Sequence, residues 1–143
     1  MIRNIIVLGC TALLTIGLSF GAFAGAAPDS DADGVPDAYD NCVTIQNGPT
    51  ASIYPGCSGQ QDTNENGYGN PCDTDVNSDG ATGADDLGQV LGVLGDPGTT
   101  SDFNCDGAVG ADDLGIVLSQ LNDTPGPSGL SCAQPTATNC VAN

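Results

Sequence analysis

Histidine and tryptophan are absent from this chain, and one arginine is its whole basic complement against 18 acidic residues. A general base of the histidine type is therefore missing, as is a nucleophile activated by histidine or lysine, which disfavours an enzyme. Zinc is disfavoured too, because no histidine can ligate it and no two cysteines have Cys-x-x-Cys spacing. The formal net charge of −17 over 143 residues sets the chain against nucleic acid and anionic membranes, which carry the same sign. Divalent cations remain as the natural counter-charge. The length allows one domain or two very small ones.

The single base, Arg3, ends a short positive start, an apolar run follows over 5–20, and Ala22-Phe23-Ala24 places small residues where a signal peptidase reads. This pattern predicts a signal peptide over residues 1–24. A spanning helix needs roughly 20 apolar residues, more than the run supplies. Cys10 lies in the middle of the run, where lipid attachment would leave almost no hydrophobic segment upstream. After cleavage the chain is expected to be secreted or at the cell surface, without membrane insertion. It then keeps all 18 acids, no base and six cysteines, an even number that favours disulfides.

The acids are not scattered. Sixteen of the eighteen fall inside four windows of twelve residues that share one internal grammar. Loop 1 (residues 29–40) carries Asp29, Asp31, Asp33, Gly34, Val35, Asp37 and Asp40 at positions 1, 3, 5, 6, 7, 9 and 12. At the same positions loop 2 (62–73) carries Asp62, Asn64, Asn66, Gly67, Tyr68, Asn70 and Asp73. Loop 3 (75–86) has Asp75, Asn77, Asp79, Gly80, Ala81, Gly83 and Asp86, and loop 4 (102–113) has Asp102, Asn104, Asp106, Gly107, Ala108, Gly110 and Asp113.

This spacing suits calcium, a hard cation that takes about six to eight oxygen ligands at about 2.3 to 2.6 Å from a chain curled tightly around it. Alternate side chains point inward while the backbone wraps, and glycine at position 6 permits the sharp turn. The residue at position 7 gives its backbone carbonyl, so Val35, Tyr68, Ala81 and Ala108 are free in identity. Asp37 and Asn70 at position 9 could reach the metal themselves, whereas Gly83 and Gly110 leave that place to water. The acid at position 12 closes the shell. Up to four calcium ions are expected; magnesium fits less well, since it prefers a tight, water-rich octahedron. Loop 2 has the fewest ligand carboxylates and is expected to be the weakest site. Glu65 points away from it, and Asp85 and Asp112, beside the closing acids, read as solvent-facing neighbours.

Residues 83–88 recur as residues 110–115 at an offset of 27, an internal duplication. After each loop, apolar residues follow at helical spacing: Leu87, Val90, Leu91 and Leu94, then Leu114, Val117, Leu118 and Leu121. Two short helices packed on one another are predicted, with these eight side chains as their core. Gly88, Gly92 and Gly115 each cost such a helix up to about 1 kcal/mol relative to alanine, so neither stands alone. The first half has still less to bury, and its order is expected from calcium and disulfides. Residues 41–61 read as a loop insertion carrying Cys57. The Pro/Gly/Ser/Thr-rich tail after Asn122 reads as irregular or disordered.

Residues 29–42, ending Asp40-Asn41-Cys42, together with residues 61–73, resemble a thrombospondin type 3 repeat. Residues 75–121 resemble a type I dockerin, a domain of two loop-helix calcium repeats related to EF-hands. The resemblances imply a small, calcium- and disulfide-stabilised, mostly irregular fold. Its expected parts are thrombospondin type 3-like loops over 25–73, an all-α dockerin-like pair over 74–122 and a Cys-containing tail over 123–143. They also imply a Cys42–Cys72 pairing, leaving Cys57, Cys105, Cys132 and Cys140 open. The dockerin resemblance implies an adaptor that docks into a cohesin-like receptor or another extracellular protein, with Ala84-Asp85 and Ala111-Asp112 where dockerins carry recognition residues. This chain lacks the basic residues that many dockerins use there. The alternative expectation is an extracellular spacer, rigid with calcium and loose without it.

Overall fold

The structure, a computed structural model, describes residues 27–142; the signal-peptide and Cys10 readings lie outside them. Two segments complete their backbone hydrogen bonds as helices, α1 (Ala84–Gly92) and α2 (Ala111–Ser119). Each begins inside the last positions of a twelve-residue window, so the closing acid is the third helical residue. Asp86 Oδ2 accepts the Gly83 N–H at 2.7 Å and Asp113 Oδ2 accepts the Gly110 N–H at 2.8 Å. These bonds satisfy an N–H at each helix start, and the acids of the first turn face the positive end of the helix dipole. Elsewhere there are single 3₁₀ turns at Asp37–Tyr39, Pro55–Cys57 and Asn70–Cys72. Among the described residues there are isolated bridges but no strand, and no helix is long and apolar enough to cross a membrane.

The duplication folds as a reciprocal pair. The Gly95 N–H, beyond α1, donates to the Val109 carbonyl of loop 4 at 2.8 Å, and the Val109 N–H donates to the Asp96 carbonyl at 2.9 Å. Beyond α2, the Asn122 N–H donates to the Thr82 carbonyl of loop 3 at 2.9 Å, and the Thr82 N–H donates to the Asp123 carbonyl at 2.8 Å. The two exchanges are the same bonds displaced by 27 residues. Each helix exit is thus stitched to position 8 of the opposite loop.

The apolar core belongs to this pair: Val90, Phe103, Val109, Ile116 and Val117 are buried, with Tyr54, Val76, Leu87, Val93 and Leu114 packed around them. The expected eight-residue stripe is corrected here. Val90 and Val117 are fully buried, but Leu91 and Leu118 are each 51% exposed and Leu94 is 44% exposed. The helices end at Gly92 and Ser119, so Leu94 and Leu121 fall beyond the regular stripe. Two nine-residue helices also meet along too narrow a line to cover Leu91 and Leu118. Phe103, Val109 and Ile116 replace them, the first two supplied by loop 4 itself.

Three disulfides tie the rest. Cys42–Cys72 joins the ends of loops 1 and 2, as the thrombospondin type 3 resemblance implied. Cys57–Cys105 joins the insertion to loop 4, and Cys132–Cys140 closes a small ring in the tail. The tail is irregular, as expected, but the disordered alternative is corrected by its hydrogen bonds to the first half: the Val43 N–H to Pro127, Gly126 to Cys72 and Gly129 to Asp40. A small, mostly irregular, disulfide-stabilised fold with two helices is what the residue pattern led one to expect.

Candidate metal centres

All four windows adopt one backbone path. The residue at position 4 is left-handed in each, at Ala32 (φ 61°), Glu65 (57°), Ser78 (62°) and Cys105 (56°), and so is the glycine at position 6, at Gly34 (96°), Gly67 (92°), Gly80 (103°) and Gly107 (101°). Two left-handed residues on either side of position 5 curl the chain so that successive N–H groups turn inward. Glycine carries little penalty for this, whereas the side chains at position 4 must bear some strain. Position 4 has no common residue type, so the sequence offered no signal for it.

The inward N–H groups converge on the side chains of positions 1, 3 and 5. Position 1 accepts from the glycine N–H in every loop: Asp29 from Gly34 at 3.1 Å, Asp62 from Gly67 at 2.8 Å, Asp75 from Gly80 at 2.7 Å and Asp102 from Gly107 at 3.0 Å. Position 3 accepts the N–H of position 5, through Asp31, Asn64, Asn77 and Asn104. Position 5 accepts the N–H of position 7: Asp33 from Val35, Asn66 from Tyr68, Asp79 from Ala81 and Asp106 from Ala108. These bonds fix the side-chain oxygens of positions 1, 3 and 5 against the curled backbone.

Loop 1 gathers the most charge. Asp29, Asp31 and Asp33 bring carboxylate oxygens within 4.8 Å of one another, an arrangement that could hold a metal ion. Asp33 is fully buried, its Oδ2 accepting the Asn47 N–H at 2.9 Å. Asp40, the closing acid, spends Oδ1 on the Cys42 N–H at 2.8 Å. Its Oδ2 is buried without a partner, and so are Asp31 Oδ2 and, in loop 2, Asp62 Oδ1. A buried carboxylate oxygen lacking a donor costs free energy that a cation would recover, so these three atoms are the fit test that a hard cation passes.

Burial, with the Asp33 and Asp40 charges beside it, pushes the Asp31 carboxyl up to about 6. Burial likewise raises Asp73 to about 6, against the opposing hydrogen bond from Asn66. Burial is also the leading cause of the upward shifts of Asp40, Asp62, Asp75 and Asp102. With no basic side chain beyond Arg3 in the sequence, only a proton or an external cation can neutralise these groups.

The closing acids divide the loops. In loop 2 the Asn66 and Asn64 side-chain amides donate to Asp73 Oδ2 at 2.7 and 3.4 Å. In loops 3 and 4 the closing acid turns toward the chain entering the loop. Asp86 Oδ1 accepts the Asn77 N–H at 2.9 Å, and Asp113 Oδ1 accepts the Phe103 and Asn104 N–H groups at 2.8 and 3.2 Å. Both acids are fully buried. Asp85 and Asp112 are exposed, as expected of neighbours, yet each accepts a hydrogen bond from the position 3 asparagine, Asn77 or Asn104. Glu65 is exposed.

Position 9 has a role that the spacing argument missed. Asp37 accepts the Ser30 N–H at 2.6 Å and its hydroxyl at 2.8 Å. Asn70 accepts the Thr63 N–H and donates to the Thr63 hydroxyl, both at 2.8 Å. Both side chains therefore brace position 2. The signal was present: position 2 is Ser30 or Thr63 where position 9 is polar, and Val76 or Phe103 where position 9 is glycine.

The insertion also covers loop 1. Gln46 Nε2 donates to the Asp31 carbonyl at 2.7 Å, and the Thr50 N–H donates to the Asp33 carbonyl at 2.9 Å. Nothing periodic in residues 41–61 announced this. Searches against protein-family models, curated proteins and solved structures find no match to this chain.

Proposed function

We propose that this chain is an extracellular calcium-binding module that takes up to four ions, one in each loop, and serves as a protein–protein interaction adaptor. The observation that carries the calcium reading is the shared curl of four loops around inward oxygens, three of them buried without a donor. In each loop the side chains at positions 1, 3, 5 and 12 would hold the ion, with the carbonyl of position 7. Calcium bound there supplies positive charge where the chain has none, and links residues that otherwise repel. Loop 2 remains the weakest site in this proposal, because asparagines occupy two of its ligand positions.

The adaptor reading rests on the dockerin resemblance and on a paired surface. Leu91 and Leu118, displaced by 27 residues, stand equally exposed on the two helices, and Ala84, Asp85, Ala111 and Asp112 are exposed at the helix starts. Either helix could thus present the same face to a cohesin-like receptor. The spacer reading is favoured by a different observation. Cys57–Cys105, the Gln120 Nε2 bond to the Pro71 carbonyl and the Asn70 Nδ2 bond to the Asp102 carbonyl join the two halves into one piece.

Calorimetric titration of the metal-free, oxidised protein with calcium tests the first step, with four sites expected. Identical circular dichroism and protease resistance in EDTA and in millimolar calcium would sink it. Capture by cohesin-type domains that disappears with chelator supports the adaptor; calcium-dependent stiffening without any receptor supports the spacer.

A further inference from the structure

Loop 2 is poorest in carboxylates, yet its backbone is gripped by a distant part of the chain. The segment after Gly126 runs along it and donates to three consecutive carbonyls. The Cys140 N–H reaches the Glu65 carbonyl at 2.8 Å, the Gln134 N–H reaches that of Asn66 at 3.1 Å, and Ser128 Oγ reaches that of Gly67 at 2.6 Å. Asn66 and Cys140 also form an isolated bridge. The fit is close enough that a Cβ on Gly67 would meet Cys140 Sγ and Ala133. Positions 4, 5 and 6, where the chain makes its left-handed curl, are the positions held. Cys132–Cys140 closes the gripping segment into a ring of its own.

We propose that residues 126–140 are a clasp that presets loop 2 for its cation, with Ser128 and the Cys132–Cys140 ring as positioning elements; this rests on the calcium reading above. Ion affinity depends on site rigidity as well as on ligand charge. Ordering a loop at the moment of binding subtracts from the affinity, and a loop already held in shape avoids that loss. Loops 3 and 4 are held by their helices, and loop 1 by the insertion. Loop 2 has no helix; the insertion's Asn41 and Gln61 carbonyls accept the Gly69 and Asn70 N–H groups at its positions 8 and 9, and the clasp holds positions 4 to 6. A low-charge site thereby becomes a usable one.

The test compares the oxidised full chain with its Cys132→Ser/Cys140→Ser form and with Ser128→Ala. Terbium replaces calcium as the probe, because the Tyr68 ring stands at position 7 of loop 2 and sensitises an ion bound there. Tyr68→Phe keeps the backbone carbonyl and assigns the signal. The double variant is expected to weaken the Tyr68-sensitised site about tenfold, and Ser128→Ala to weaken it less, as lost preorganisation predicts. Calorimetry should find the remaining calcium sites unchanged. Loop 2 affinity unchanged in both variants overturns the clasp while leaving the calcium reading intact. A parent chain that binds neither calcium nor terbium overturns the calcium reading, and the clasp with it. Should the double variant also lose its helical signal, Ser128→Ala decides.

Discussion

Residues 29–73 and residues 74–122 enclose the same kind of loop with opposite materials. Around loops 1 and 2 the buried side chains are cysteines, Pro71 and polar groups, among them Asp33, Asp40, Asn41, Asn47, Asn66, Asn70 and Asp73. Around loops 3 and 4 the chain adds Val90, Phe103, Val109, Ile116 and Val117. The difference begins at position 2. A hydroxyl there pairs with a polar residue at position 9 and makes a loop braced from within. An apolar residue there points into a core, position 9 shrinks to glycine, and a helix does the bracing. Hydrogen bonds and a disulfide can therefore do locally what hydrophobic burial does between helices, provided that the buried charge finds a counter-charge.

The sharpest way to break the comparison is to remove the apolar core. Phe103→Ala is expected to destabilise the protein by about 3–5 kcal/mol, the usual cost of deleting a buried phenylalanine, seen as a lower urea midpoint. The Asp29–Asp31–Asp33 cluster should keep its calcium affinity, because no residue of the apolar core lies in loop 1. Loss of both together would mean that the halves share one core.

Next in size is Asp31→Asn, which acts in two directions. Removing a ligand carboxylate should weaken calcium at loop 1 about tenfold, a change of about 1.4 kcal/mol. Metal-free, the same variant should unfold at higher urea near neutral pH, because it deletes a half-buried charge repelled by Asp33 and Asp40. A variant that is less stable in both states would show that Asp31 is structural in the ordinary sense.

A smaller effect should follow pH. The carboxyls of Asp31 and Asp73 stand near 6 in the folded chain against an ordinary 3.8. A raised folded pKa means that the folded state holds the proton more tightly. Its contribution to stability is then fully present below about 4 and lost as pH rises through about 6. The metal-free protein should accordingly lose stability from these two groups between about pH 4 and pH 7, while calcium affinity rises over the same interval as the competing protons leave. Parallel trends in urea midpoint and affinity would contradict the assignment.

The smallest expected change is Gly88→Ala. Nothing lies within 4 Å of where its Cβ would sit, so a better helix former in α1 should add about 0.5–1 kcal/mol. Calcium binding in loop 1 should not move. If calorimetry shows loop 1 responding, the two halves are more tightly coupled than their different interiors suggest.

Much of the candidate site was legible in the order of residues. Curling the chain at position 6 requires glycine, and inward oxygens require Asp or Asn at alternate places, so Asp75, Asn77, Asp79 and Gly80 mark a loop by their spacing alone. The helices were legible because the periodic apolar residues begin directly after each closing acid. The exposure of Leu91, Leu94 and Leu118 was not, because periodicity marks a face without saying how wide a partner will cover it. The bracing of Ser30 by Asp37 could have been read from the paired changes at positions 2 and 9. The left-handed Cys105 could not, since no residue preference marks position 4.

By itself, then, the sequence determined where the four loops lie, where the two helices start, and that no side chain beyond Arg3 can neutralise the acids, since each of these depends on residues within about one turn or one loop. Only the tertiary structure decided that residues 46–51 close over loop 1, that Cys57 pairs with Cys105, and that the segment carrying Cys132 and Cys140 grips loop 2. Most of those contacts are made by backbone N–H and C=O groups and by sulfur atoms far apart along the chain. Every residue but proline offers the same backbone pair, and every free cysteine the same sulfur, so their partners are chosen by the packing of the whole molecule.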